Sequence, residues 1–134
     1  MKRQGHLNTH IANHNIRDIK KIKNELSESE LLVRINPINP ATIKEIDESI
    51  NQGADILMLP MFMKKEEVRF FVKHVNGRAK TCILIETAQA FVRINEILDI
   101  KGIDEVHIGL NDLHLSFGLD FMFELLSEGI VEYI

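Results

Sequence analysis

The sequence lacks the features that mark secreted, membrane-spanning and nucleic-acid-binding proteins. Its single cysteine, Cys82, excludes an internal disulfide and fits a reducing compartment. A net charge of −4 argues against nucleic acid and anionic membranes as partners, because both select for clustered lysine and arginine. The longest apolar run, residues 56–63, is far too short to cross a bilayer, and the polar start shows no signal peptide. These absences predict a soluble, cytoplasmic protein.

Common catalytic and nucleotide-binding signatures are missing as well. The sequence contains no Ser-His-Asp order, no Walker loop and no G-x-G-x-x-G motif. It also contains no linker, charge block or low-complexity tract that would divide it. Its 134 residues, of which 45% are hydrophobic, therefore predict one domain with one core.

Four short apolar runs have the length and composition of buried parallel strands. They are continuous rather than alternating, as in strands that are covered on both faces. Helical patterns fill the gaps: the first has Asn13 or Asn15 as a cap, the second ends at Gly53, and the third ends at Asn76-Gly77. A fourth helical pattern covers residues 91–98, and a fifth runs from about residue 120 to 126. The predicted strands are residues 31–35, 56–61, 81–85 and 105–108.

This alternation predicts an α/β fold that forms part of a (β/α)8 TIM barrel, with about four parallel strands and crossover helices. A complete barrel needs roughly 250 residues, so residues 1–134 would form a single incomplete barrel domain. No apolar strand precedes the first helix, so we expect the first strand and the C-terminal strands to be missing, as in a fragment or a truncated product. Open sheet edges then predict a homo-oligomer.

A small doubly wound α/β binding or regulatory domain is the alternative architecture. Such a domain has an open sheet with helices on both faces, whereas a barrel has a curved sheet with helices on one face. The missing first strand argues against the alternative.

Two acidic residues, Glu86 and Asp112, stand where an apolar run stops. The carboxyl ends of parallel strands form one rim, where ligands bind, so two distant acids can converge there. Paired carboxylates suit a divalent cation such as Mg²⁺. The competing explanation is that acids after strands often cap the following helix, and Thr87 or Asp112 could do only that.

Further residues near this rim carry a possible role. Arg34 lies inside an apolar run, where an arginine is costly unless it is paired or solvated. Its guanidinium suits a carboxylate or enolate oxygen of a ligand. The alternative is a structural ion pair with an acid such as Asp55 or Glu86. Gly109 permits close approach of backbone to a ligand. The amides of Asn111 and Asp112 could bind an anion near a helix start.

Histidine and cysteine residues offer a second set of candidates. His6, His10 and His14 have a spacing that would suit zinc on a helix, but an accidental cluster is the better explanation. His107 is expected to point into packed side chains, and His114 either lines the rim or lies on the surface. Cys82 is expected to be an inert buried thiol.

Four motifs, in order and at the same approximate spacing, resemble the HpcH/HpaI aldolase/citrate lyase family. They cover residues 31–118, and each alone is weakly specific. The motifs are Arg34-Ile35-Asn36-Pro37, Gly53-Ala54-Asp55-Ile56-Leu57-Met58-Leu59-Pro60-Met61, Leu84-Ile85-Glu86-Thr87 and Ile108-Gly109-Leu110-Asn111-Asp112-Leu113 with Gly118.

The resemblance implies a phosphoenolpyruvate/pyruvate-type barrel and a metal-dependent carbon–carbon lyase that acts on a 2-oxo acid or acyl substrate through an enolate. It implies that Glu86 and Asp112 bind Mg²⁺ or Mn²⁺ and that Arg34 holds the keto or enolate oxygen. The backbone of Gly109, Leu110, Asn111 and Asp112 would receive the substrate carboxylate. The family's histidine and acids from the first strand's loops have no match, so the chain alone could be a catalytically incompetent piece of the barrel.

Overall fold

The computed structural model describes residues 15–134, which form one parallel sheet and its surrounding helices. The strands are β1 Leu32–Arg34, β2 Ile56–Leu59, β3 Lys80–Ile85 and β4 Glu105–Ile108, in the order β1-β2-β3-β4. The helices are α1 Ile16–Glu25, α2 Thr42–Asn51, α3 Lys65–Val75, α4 Ala88–Val92, α5 Ile94–Leu98, α6 Leu110–Phe117, α7 Glu124–Ser127 and α8 Ile130–Tyr133.

The helix ends follow the chemistry predicted from the sequence. The Asn15 side chain accepts from the Arg17 amide and Asp18 reaches back to the Asn15 amide, which completes a capping box on α1. Helix α3 ends at Asn76, which adopts the left-handed conformation at φ 50°. Asn15, rather than Asn13, is therefore the first cap.

Every strand pairs with the next one along the chain, and every pair is parallel. Leu32 lies opposite Ile56, Ile56 lies opposite Lys80, and Cys82 lies opposite Glu105. This sequential order has no reversal point, which a doubly wound sheet requires. It is the strand order of a (β/α) barrel.

The two faces of the sheet are packed differently. One face packs against helices α1 to α5 and forms the main core with them. The strand residues in this core include Leu57, Leu59, Ile83 and Ile85. The opposite face holds a smaller cluster that, among residues 15–134, contains strand residues alone: Ile56, Met58, Cys82 and Leu84, with Leu32 beside them. Helices on one face confirm the partial barrel and contradict the doubly wound alternative.

The chain departs from the predicted helices at two places. The fourth predicted helix is split into α4 and α5, because Arg93 leaves the helical conformation at φ −107° and ψ 16°. Of the predicted last helix, residues 120–126, the structure keeps only the short α7, and a further short helix, α8, begins after Gly129, which has φ 70°. No fifth strand follows β4 within the described residues, whereas the expected absence of a first strand concerns residues 1–14, which lie outside them.

None of the helices described between residues 15 and 134 is long and apolar enough to cross a membrane.

Candidate active site

The ends of β3 and β4 bring Glu86 and Asp112 together. The ladder between the strands continues past Ile85 and Ile108, because the Gly109 amide donates to the Ile85 carbonyl over 2.9 Å. Glu86 therefore leaves β3 beside Gly109, and Asp112 follows as the third residue of α6. The two carboxyl groups lie within hydrogen-bond reach of each other.

The Glu86 side chain is buried at the rim, with 3% of the residue exposed. Its Oε1 accepts the Met61 amide over 2.8 Å. Met61 presents that amide from a left-handed backbone, φ 54°, which is an unfavourable conformation for a residue with a side chain. Met61 is the last residue of the second predicted strand, and nothing in the sequence marks its backbone as a partner for Glu86.

Burial raises the pKa of Glu86 to about 7, and the neighbouring carboxyl group of Asp112 adds to the increase. The Met61 amide and the positive charge of Arg34 act in the opposite direction, since both favour the carboxylate. Two acids that share a buried site resist simultaneous ionisation. A bound cation would relieve this repulsion.

Gly109 provides room for the Glu86 side chain. A Cβ added at residue 109 would lie 2.9 Å from the Glu86 Cβ, 3.3 Å from its Oε2 and 3.4 Å from the Leu84 Cδ1. The backbone of Gly109 has a negative φ of −88°, so its requirement is space rather than conformational freedom. The predicted close approach at Gly109 is present, and its partner in the structure is the side chain of Glu86.

Helix capping does not explain either acid. Thr87 caps α4, because its Oγ1 accepts the Ala90 amide at 3.1 Å while its hydroxyl donates to the Phe62 carbonyl at 2.8 Å. Helix α6 has Gly109 at its N-cap and no side-chain cap. Glu86 and Asp112 thus face each other instead of closing helix ends.

A hydrogen bond between helices α4 and α6 supports this arrangement. The Ala88 amide, at the start of α4, donates to the Ser116 hydroxyl on α6 over 2.8 Å. It ties the segment that follows Glu86 to the helix that carries Asp112. The link has no sequence signature, because serine in a helix is too common to predict a partner.

Arg34 lies on the same face of the sheet as Glu86. It pairs with Met58 of β2, Met58 pairs with Cys82 of β3, and Glu86 follows Cys82 by an even number of residues. Arg34 is exposed, and its charge lowers the pKa of Glu86 as the weakest of the contributing interactions. The proposed ion pair with Asp55 is wrong, because Asp55 contacts Lys23 at 2.5 Å at the other end of β2.

The residues predicted to receive a carboxylate form the first turn of α6. Leu110 and Asn111 are its first two residues, followed by Asp112, and Asn111 is exposed. Amides in a first helical turn have no acceptor within the helix and carry the positive end of the helix dipole. The turn adjoins Glu86 and fits an anion there.

The donor set fits a hard divalent cation. Glu86 and Asp112 offer carboxylate oxygens only, which Mg²⁺ and Mn²⁺ prefer. Mg²⁺ normally takes one or two protein carboxylates and keeps positions for water and substrate. The burial of Glu86 beside a second acid is the observation that favours a cation here.

Comparison with known proteins identifies the family. The sequence model of HpcH/HpaI aldolase/citrate lyase matches residues 11–122, which is most of the chain. The chain belongs to the HpcH/HpaI aldolase/citrate lyase family. No curated protein matches the sequence.

Solved structures confirm the fold of this family member. The structure of an HpcH/HpaI aldolase from Desulfitobacterium hafniense DCB-2 gives a TM-score of 0.77 at 19% identity, over 91% of this chain and 59% of that chain. The structure of the citrate synthase SbnG gives a TM-score of 0.78 at 17% identity, over 93% of this chain and 59% of that chain. The 134-residue chain thus spans 59% of the length of each of these two proteins.

The other candidate residues have mixed outcomes. Cys82 is fully buried. Its burial raises the pKa of its thiol to about 11, and the negative charge of Glu105 makes a smaller contribution in the same direction. His114 is buried on α6, where its Nδ1 donates to the Leu110 carbonyl at 3.2 Å, so the surface alternative is wrong. The prediction for His107 is also wrong: its side chain is exposed, because β4 is the last strand of the described sheet. His6, His10 and His14 lie outside the described residues.

Proposed function

We propose that this chain acts in a divalent-metal-dependent carbon–carbon lyase of the aldolase type, which uses a pyruvate-type enolate and a 2-oxo acid substrate. The family supports lyase chemistry, and the proposal adds the metal, the substrate class and the residues. Glu86 and Asp112 are assigned as the metal ligands, with Mg²⁺ or Mn²⁺ as the cation.

One observation supports this proposal most strongly: a nearly inaccessible Glu86 carboxyl group lies against the Asp112 carboxyl group at the carboxyl end of the sheet. Neither the capping of α4, which Thr87 provides, nor the bond from the Met61 amide to Glu86 requires a second acid at this point. When bound, the cation would supply positive charge that stabilises an enolate oxygen.

The chain's own groups would orient the substrate around this point. The first turn of α6, from Leu110 to Asp112, offers amides to the substrate carboxylate. Arg34 approaches from β1 on the same face, and its guanidinium can donate to the keto or enolate oxygen. The amides would hold the carboxylate of a 2-oxo acid and Arg34 its keto or enolate oxygen, and these two contacts together would fix the plane of the substrate.

Calorimetric titration with oxalate, which resembles the enolate of pyruvate, tests the proposal. We expect oxalate to bind in the presence of Mg²⁺ and not in its absence, and the heat to disappear in Asp112→Asn. Asp99→Asn is the matched control, because it removes the same charge from an exposed position at the end of α5. Oxalate binding that is independent of metal, or unchanged in Asp112→Asn, would refute the proposal.

Arg34→Met separates substrate binding from metal binding. The variant should bind Mg²⁺ as tightly as the parent chain and bind oxalate about tenfold or more weakly, the cost of losing one good charge-assisted contact. Equal oxalate affinity would remove Arg34 from the site.

The cytoplasmic location and the small-molecule partner remain predictions that belong to the same proposal.

A further inference from the structure

A second group of metal-ligating side chains lies on the same face of the sheet, away from Glu86 and Asp112. It consists of Cys82 on β3 and of Glu105 and His107 on β4. The sulfur, one carboxylate oxygen and one imidazole nitrogen all lie within 4.8 Å of one another. Within the part of the chain that the structure describes, these three residues form the one such mixed group.

The sheet itself produces this convergence. Cys82 and Glu105 are register partners across β3 and β4, and His107 follows Glu105 by two residues. Side chains two apart on a strand point to the same face, so Glu105 and His107 project together toward Cys82. The His107 backbone amide also interacts with the Cys82 sulfur. The geometry is set by paired backbone rather than by a loop.

From this geometry we infer that Cys82, Glu105 and His107 form a second metal site, selective for a zinc-class transition-metal ion. When the ion binds, the Cys82 thiol releases its proton to solvent, and the resulting thiolate and the imidazole are ligands that Zn²⁺ and Co²⁺ accept well and that Mg²⁺ does not. Three protein ligands leave a fourth tetrahedral position for water or for an exogenous ligand.

The distances are compatible with one ion. Ligand atoms around a single tetrahedral Zn²⁺ lie about 3.3–3.8 Å apart, given bond lengths of about 2.0–2.3 Å. Separations within 4.8 Å need only small side-chain rotations to reach that range. The ion can enter from the β4 side, because His107 is exposed and Glu105 is half-buried while Cys82 is fully buried.

This second site is separate from the acidic pair. Glu86 follows Cys82 by four positions, which corresponds to about 13 Å at the rise of an extended strand. Leu84, which is buried, lies between them on the same face. The two sites also differ in chemistry, since one offers carboxylate oxygen alone and the other offers sulfur and nitrogen beside one carboxylate. The inference does not depend on the proposed function.

Cobalt spectroscopy of the full chain tests the inference. Co²⁺ bound through a thiolate gives a near-ultraviolet sulfur-to-metal charge-transfer band. We expect this band to appear at one equivalent of Co²⁺, to be abolished by Zn²⁺ and to survive excess Mg²⁺. Its absence, or its loss with Mg²⁺, would overturn the second site.

Variants assign the band to its ligands. Cys82→Ser should eliminate the band, and His107→Ala and Glu105→Gln should each shift or weaken it; both residues of β4 can be changed at low risk to folding, because neither is fully buried. Glu86→Gln should leave the charge-transfer band intact, so the test of the second site is independent of whether the acidic pair binds a metal. A band that persists in Cys82→Ser or is unchanged in His107→Ala would contradict the inference.

A histidine control excludes a competing site. In a variant with His6, His10 and His14 all replaced by alanine, the band should keep its position and intensity. Its loss in this variant would move the metal to the N-terminal histidines and overturn the assignment to Cys82, Glu105 and His107.

Discussion

Glu86 meets Asp112 at the rim of the sheet because β3 and β4 end in register, with Ile85 opposite Ile108. The carboxyl groups are within hydrogen-bond reach, and only 3% of Glu86 is exposed to solvent. The bond from the Met61 amide accounts for one buried carboxylate but not for the second acid beside it. The pair makes sense as a cation site, and its behaviour without a cation is measurable.

The stability of the metal-free chain should fall as pH rises from about 4.5 to 7. Burial raises the pKa of Glu86 from 4.5 to about 7, so the folded chain binds a proton in this range that the unfolded chain has lost. The difference between the two values corresponds to about 3 kcal/mol of unfolding free energy. Urea denaturation at several pH values measures the fall.

Glu86→Gln should remove most of this pH dependence, because the amide has no proton to lose. At pH 7 the variant should therefore be more stable than the metal-free parent. Added Mg²⁺ should stabilise the parent at pH 7 and should stabilise Glu86→Gln less at the same Mg²⁺ concentration. A parent chain whose stability is constant between pH 4.5 and 7 would contradict the burial of Glu86 as an acid.

Gly109→Ala should damage the acidic site through the Glu86 side chain. The new methyl group would lie 2.9 Å from the Glu86 Cβ, so Glu86 must move. We expect Mg²⁺ affinity to fall about tenfold or more, as when a supporting contact of a metal site is lost. Overpacking should also cost about 1–3 kcal/mol of stability.

Gly77→Ala is the control for this variant. Residue 77 has φ 67° and open space around it, so alanine there strains the backbone without touching the site. Its Mg²⁺ affinity should equal that of the parent. If Gly109→Ala also binds Mg²⁺ as the parent does, Glu86 is not positioned by this glycine.

Asp55→Ala should destabilise the fold and leave the rim intact. Asp55 accepts the Leu31 amide at 2.7 Å and Lys23 at 2.5 Å, and these bonds lower its pKa, the Leu31 amide most. Loss of both bonds should cost about 1–2 kcal/mol in denaturation at pH 7. The contribution should disappear as pH falls below about 4, because the unfolded carboxyl group then takes up a proton first.

Asp47→Ala is the matched comparison for Asp55. Asp47 pairs with Arg78 at 2.8 Å, but both side chains are more than 40% exposed, so little stability should be lost. Mg²⁺ affinity should be unchanged in both variants. Equal losses of stability would mean that the bond of Asp55 to the Leu31 amide contributes nothing.

Self-association should follow from the free edge of β4. Within residues 15–134 this strand pairs only with β3, and Val106 on it is 39% exposed. An apolar, unpaired edge favours pairing with another chain. Light scattering should show oligomers, and Val106→Lys should shift the distribution toward monomer. A monodisperse parent monomer would contradict this expectation.

The fold was predictable because its signals are local. Continuous apolar runs mark the four strands, and Asn15 and Asn76 mark helix ends within a residue or two. The break at Arg93 was not predictable, because it depends on how two short helices pack. His107 was misplaced because its environment depends on what covers β4, which no property of the strand itself determines.

The candidate site was predictable in outline, since strand-end acids converge in any parallel sheet. Its supports were not. Neither the left-handed backbone of Met61 nor the bond from Ala88 to Ser116 has a sequence signature. The group of Cys82, Glu105 and His107 required the register of β3 against β4, since the alternation of β4 alone places just two of its members on one face.

Electron paramagnetic resonance of Mn²⁺ tests the central claim most directly, because bound Mn²⁺ loses the sharp signal of the free ion. We predict one Mn²⁺ per chain, with affinity weakened about tenfold or more in both Glu86→Gln and Asp112→Asn. His107→Ala should bind Mn²⁺ like the parent. Mn²⁺ binding that survives both acidic substitutions, or that is absent from the parent, would contradict a cation held between Glu86 and Asp112.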